Sequence, residues 1–161
     1  MNYTIRKIES KDNAAMAKII RTVFHELDAP KEGTAYADPI LDTLSKVYVR
    51  PNEIYFVVEV DGEVLGGSGI APLLDEDSSF CELQKMYFAP ALRGKGIAQI
   101  LIQQCLTFAQ EVGFKACYLE TLPFMKAAQK LYLKAGFQYI SSPLGSTGHG
   151  SCDVFMLKKL V

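Results

Sequence analysis

The stretch Tyr87-Phe88-Ala89-Pro90-Ala91-Leu92-Arg93-Gly94-Lys95-Gly96-Ile97-Ala98 reads as the end of a strand, a short glycine turn and the start of a helix. Glycines in the turn let the backbone approach a ligand closely, and the first helical N–H groups have no partner inside their own helix. Those free amides and the positive end of the helix dipole favour a phosphate. Arg93 and Lys95 add mobile positive charge. By itself the turn specifies an anion site and leaves the anion open.

The neighbouring residues narrow the choice. A nucleoside-triphosphate loop needs Ser or Thr directly after its Gly-Lys to hold magnesium, and here Gly96 follows Lys95. A dinucleotide fingerprint beginning at Gly94 and Gly96 puts Gln99 at its third position, too large for close helix–strand packing. Such a fingerprint also belongs in a βαβ unit rather than after an antiparallel run. A plainer reading makes the glycines a tight turn and nothing more.

Upstream, Tyr3 to Ile8 alternates as a short strand does, and Ser10-Lys11-Asp12 opens an amphipathic helix through Met16, Ile20 and Phe24. Asp38-Pro39 predicts a second helix, with Asp38 as N-cap and Ile40, Leu41, Leu44, Val47 and Tyr48 on its buried face. Ile54 to Val60 and Glu63 to Pro72 read as strands joined by an Asp61-Gly62 hairpin. Gly66, Gly67 and Gly69 in the second of these predict a bulge or a close approach to the backbone. Cys81 to Phe88 is a further strand leading into the turn.

Downstream, Ile97 to Val112 forms a helical stripe ending at Gly113, and Lys115 to Glu120 is a strand. Pro123 predicts the start of another helix, with Ala127, Ala128, Leu131 and Tyr132 inward. Phe137 to Ile140 and Val154 to Leu157 are two closing strands, separated by the Gly/Ser-rich loop Ser141 to Ser151. The expectation is a mixed sheet with helices on its faces, α/β (α+β) in class, as one domain over residues 1–161.

Composition sets the outer limits. The chain has 161 residues, 49% hydrophobic and 22% charged, with a net charge of −1. That is ordinary globular composition, and nothing in it recruits nucleic acid or an anionic membrane. No apolar run reaches the roughly 20 residues that span a bilayer. The first residues lack the pattern of a signal peptide, and four scattered cysteines suggest neither a disulfide framework nor a zinc site. A cytoplasmic protein without a metal is expected.

Two motifs carry a family resemblance. Arg93-x-x-Gly96-x-Ala98 resembles the Q/R-x-x-G-x-G/A signature of the GNAT acyltransferase superfamily. The block from Ala128 through Leu131-Tyr132 to Gly136-Phe137 resembles that family's A-x-x-L-Y-x-x-x-G-F helix end. The element order from Tyr3 to Leu157 is similar to the whole GNAT fold. One position departs from the pattern: Met125 stands where many members carry an asparagine that touches the coenzyme.

The resemblance implies acetyl-CoA as co-substrate, a fourth and fifth strand splayed apart, and direct attack of an amine on the thioester. It implies main-chain contacts to the pantetheine arm from Met86, Tyr87 and Phe88, and a pyrophosphate held by Arg93, Gly94, Lys95, Gly96, Ile97 and Ala98. An amide near Met86 or Tyr87 would polarise the thioester carbonyl. Glu82 is implied as base, with Glu120 a second candidate, and Tyr132 as proton donor to the leaving thiolate. For either glutamate a charge at a strand end is the plainer reading, and Tyr132 is equally readable as core.

The acceptor site of such a fold would lie between Phe24 and Tyr48, facing the Ser141–Ser151 loop, where His149 is a candidate pocket residue and a metal site with Cys152 is disfavoured. His25 suits a helix C-terminus, and Cys81, Cys105 and Cys117 suit a core. Small amine, amino acid, peptide terminus and protein lysine all stay open as acceptors. Homodimers are common in the family. A coenzyme A-binding sensor that kept the pocket without the chemistry is the alternative function.

Overall fold

The computed structural model describes residues 1–161. Seven strands form one sheet: β1 Tyr3–Lys7, β2 Ile54–Val60, β3 Glu63–Pro72, β4 Phe80–Phe88, β5 Ala116–Thr121, β6 Gln138–Ile140 and β7 Val154–Lys159. Their order is β1-β2-β3-β4-β5-β7-β6. Every neighbouring pair is antiparallel except β4 and β5, which run parallel. A parallel pair needs a crossover, and helix α2 (Ile97–Glu111) supplies it. Helix α1 is Asn13–Glu26 and α3 is Lys126–Lys134. No helix is long and apolar enough to cross a membrane.

The sheet separates two apolar cores. One gathers α2 with Phe56, Val58, Ile70, Cys81, Leu83 and Met156. The other gathers α1 and residues 29–48 with Tyr55 and Val57. Strand β2 is covered on both faces, which is why its sequence runs almost continuously apolar instead of alternating. Its hairpin to β3 turns on Asp61 and Gly62, both left-handed at φ 51° and 82°, the geometry that two-residue hairpins favour.

The three glycines of β3 serve both expected purposes. The register with β4 shifts between Gly67 and Gly69. A Cβ at Gly67 or Gly69 would stand 2.6 or 2.7 Å from the Tyr55 ring, so the strand is bare where that ring lies across it.

Strands β4 and β5 pair only from Phe80↔Ala116 to Glu82↔Tyr118. Beyond Glu82 they part, leaving the β5-facing edge of β4 without a strand. This is the splay expected from the motifs.

Two expected elements differ. The helix placed on Asp38–Tyr48 is instead one short 3-10 segment, Leu41–Lys46, kinked at Thr43 and preceded by a 3-10 turn at Ala35–Ala37. Asp38 is extended (φ −61°, ψ 125°), because a residue before proline is pushed out of the helical region. Leu41, Leu44 and Tyr48 are nonetheless buried, since 3-10 spacing stays close to helical spacing over so short a run. The helix expected from Pro123 starts at Lys126, after a turn in which the Met125 amide bonds the Leu122 carbonyl. Ala127 and Leu131 on that helix line a cavity; Ala128 lines it too and packs against the α2-side core, and Tyr132 is buried in that core.

Candidate active site

The glycine turn leaves several backbone amides unpaired. Pro90–Leu92 forms a 3-10 turn in which the Leu92 and Arg93 amides bond back to Ala89 and Pro90. The next amides, of Gly94, Lys95 and Gly96, bond no backbone carbonyl. Gly94 (φ 74°) and Gly96 (φ 77°) are left-handed, and no atom lies within 4 Å of where their Cβ would stand. Gly96 is the N-cap of α2, and no side chain caps that helix. A row of amides at the positive end of a 15-residue helix therefore faces open space.

Arg93 does not supply the mobile charge expected of it. Its Nη1 donates to Glu26 at 2.8 Å, while Nε and Nη2 hold the Phe88 carbonyl at 3.2 and 2.9 Å. It fastens the turn to the end of β4 and to α1. Ile97 turns its side chain into the α2-side core, so it brings only its backbone to the turn. Lys95 is exposed.

A cavity of about 540 Å³ runs along β4 between the splayed strands. Gly94, Gly96 and Ala98 line it at the turn; Met86, Tyr87 and Phe88 along the strand; Glu82, Glu120 and His149 near the point where the strands part. Met125 also lines it, with its thioether accepting the Thr121 hydroxyl at 3.5 Å.

Glu82 is 6% exposed and accepts a 2.7 Å bond from Gln84 Nε2. Gln84 is set in turn by the Tyr48 hydroxyl, which donates to its Oε1 at 2.7 Å. Burial pushes the Glu82 carboxyl up to about 7, against the Gln84 bond and the charge of His149, which lower it. Near neutral pH it exists in both forms, as an acid–base group requires.

Glu120 is placed differently. Its oxygens accept the Tyr118 and Thr147 hydroxyls, each at 2.6 Å, and the Tyr118 oxygen receives the Leu144 amide at 3.2 Å. It anchors the 141–151 loop across the cavity. Tyr132 lines the cavity, edge-on to Phe137, and burial raises its pKa so that the hydroxyl keeps its proton at neutral pH.

Lys85 was not singled out in the sequence, and Asp38 was read there only as a helix cap. Asp38 Oδ2 meets Lys85 Nζ at 2.7 Å and His149 Nε2 at 3.0 Å. Burial acts to raise the Asp38 pKa, but the His149 hydrogen bond and the Lys85 charge hold it below the usual carboxylate range. His25, expected to complement its helix end, stands 3.3 Å from the Tyr36 hydroxyl.

The model of the acetyltransferase (GNAT) family matches residues 15–137. The chain belongs to that family. The uncharacterized N-acetyltransferase YjgM of Escherichia coli K12 is 51% identical over 158 residues, which is 97% of this chain and 94% of that protein. Among solved structures, a GNAT-family acetyltransferase from Staphylococcus aureus Mu50 superposes with a TM-score of 0.88 at 18% identity, covering 99% of this chain and 100% of that one. The structure of yncA from Salmonella typhimurium, solved with its cofactor acetyl-CoA, has a TM-score of 0.79 at 21% identity and covers 100% of this chain and 95% of that one. GNAT membership makes the chain an N-acetyltransferase.

Proposed function

We propose that this GNAT enzyme, one domain over residues 1–161, transfers the acetyl group of acetyl-CoA to a primary amine by direct attack in a ternary complex. The observation that carries the reading is one continuous cavity joining the uncapped start of α2 to the buried carboxyl of Glu82. An anion site at one end and a group poised near pH 7 at the other suit a phosphate-bearing acyl donor and a protonated amine. The binding of acetyl-CoA by the related yncA fold supports the choice of donor.

The amides from Gly94 to Ala98 take the pyrophosphate. Pantetheine lies along the open edge of β4 at Met86 and Tyr87 as an added strand would. The Phe88 carbonyl is already held by Arg93. An amine of pKa near 10 is about 99.9% protonated at pH 7, so attack requires that its proton leave. Glu82 as carboxylate accepts it. Nitrogen then bonds the thioester carbon, the C–S bond breaks, and Tyr132 gives its proton to sulfur as negative charge develops there. The second proton the nitrogen sheds on becoming an amide restores Tyr132 through solvent, and Glu82 releases its own to solvent.

Release of free thiol from acetyl-CoA, followed across a panel of primary amines, tests the proposal. Release should be stoichiometric with N-acetylated product and should require the amine. Binding of acetyl-CoA with no turnover on any amine would contradict it.

A further inference from the structure

Along β4, Cys81, Leu83, Met86 and Phe88 pack on the α2 side. Gln84, bonded to Tyr48, and Tyr87 belong to the α1 side. Unbroken alternation would send Lys85 into the apolar α2-side core. Instead Lys85 is left-handed (φ 49°) at the register shift between β3 and β4, and the Tyr55 hydroxyl donates to its carbonyl at 2.7 Å. Lysine is an uncommon occupant of that region, and such residues collect at functional sites. The bulge turns the side chain toward α1, where Asp38 meets it.

The Lys85 side chain is only 5% exposed, and Asp38 is its one ionic partner. An ammonium has three donors, and burying it with one partner is costly. Lys85 and His149 both line the cavity, and Asp38 bonds both from outside that lining. The carboxylate thus braces two nitrogen groups toward the cavity. Glu82 and Glu120 line it too, and Glu82 feels the charges of His149, Glu120 and Lys85 together. The cavity lining therefore carries both carboxylates and nitrogen donors.

We infer that the acceptor carries a carboxylate next to its amine, an amino-acid-like zwitterion whose carboxylate is taken by Lys85 and His149 while its ammonium meets Glu82. Val23, Phe24, Leu27 and Ala35 also line the cavity, which suits an apolar rather than a charged side chain on that acceptor. The inference rests on the acetyl-transfer reading above and specifies its second substrate.

Wild-type enzyme with saturating acetyl-CoA would be assayed on matched sets: leucine and phenylalanine, their amides, and their decarboxylated amines. The free amino acids should exceed both partners in kcat/KM by about 100-fold, because a buried donor pair is left unmet by the analogues. In Lys85→Met, an apolar replacement of similar length, that preference should fall toward unity. Equal rates for the amides or simple amines in the wild type would overturn the acceptor assignment while leaving acetyl transfer standing. Turnover of none of the six, nor of any other amine, would overturn both.

Discussion

Glu82 combines two properties that conflict elsewhere in a protein: it is ionisable and it is buried among few partners. Its pKa rises from 4.5 to about 7, so the folded chain binds that proton more tightly than the unfolded chain does. Its contribution is neutral below about pH 4.5, becomes destabilising as pH rises toward 7, and stays constant above. At about 1.4 kcal/mol per unit the full effect is roughly 3 kcal/mol. Glu82→Gln should therefore match the wild type in stability near pH 4.5 and exceed it at pH 8, which urea unfolding at the two pH values would show. The same variant should lose about 10²-fold to 10³-fold in kcat. In the wild type, kcat/KM per total amine should climb tenfold per pH unit to about 7 and flatten there. In Glu82→Gln the climb should continue toward the amine's own pKa. A wild-type profile without the break near 7 would remove Glu82 as the base.

At the scale of elements, the β4 bulge decides what the strand presents. Tyr55 on β2 stabilises it from across the sheet by bonding the Lys85 carbonyl and by filling the space that Gly67 and Gly69 leave. Tyr55→Phe keeps the ring and orphans that carbonyl, which should cost about 1–3 kcal/mol in unfolding free energy. Steady-state kinetics should show a larger rise in KM for the amine than for acetyl-CoA if Lys85, which the bulge turns to the cavity, holds the acceptor as inferred. An equal rise in both constants would argue against that division.

The same bulge shows where sequence reading stops. The Asp61-Gly62 hairpin, the β3 glycines, the crossover helix and the turn at Gly94 to Gly96 were legible because each is a local demand of the backbone. The Asp38–His149 contact joins residues 111 apart, and no local pattern announces such a pair. Asp38-Pro39 read as a helix start because Asp is a good cap and Pro a good first residue; the extended bias that proline imposes on Asp38 prevailed. Gln84 and Lys85 gave no signal because a bulge breaks the alternation by which strand faces are read.

At the scale of the whole molecule, the strands inside the sheet stay paired along their length except at one place. Two cores hold its faces, β7 bridges β5 and β6, and the gap between β4 and β5 leaves backbone unpaired at the strands' diverging ends. A donor that pairs with that edge completes the sheet, so binding should stabilise the fold by RT ln(1 + [L]/Kd), about 4 kcal/mol at a thousandfold excess over Kd. In the proposed function that donor is anchored at the turn Gly94 to Gly96, where Gly96 is the left-handed cap of α2. The most direct measurement is calorimetric titration of acetyl-CoA into the wild type, Gly96→Ala and Gly96→Glu. Gly96→Ala shares the backbone strain of the glutamate variant without its charge, and should weaken binding by about tenfold. Gly96→Glu should weaken it by at least about 100-fold. Wild-type affinity in Gly96→Glu would contradict the placement of the donor on this turn.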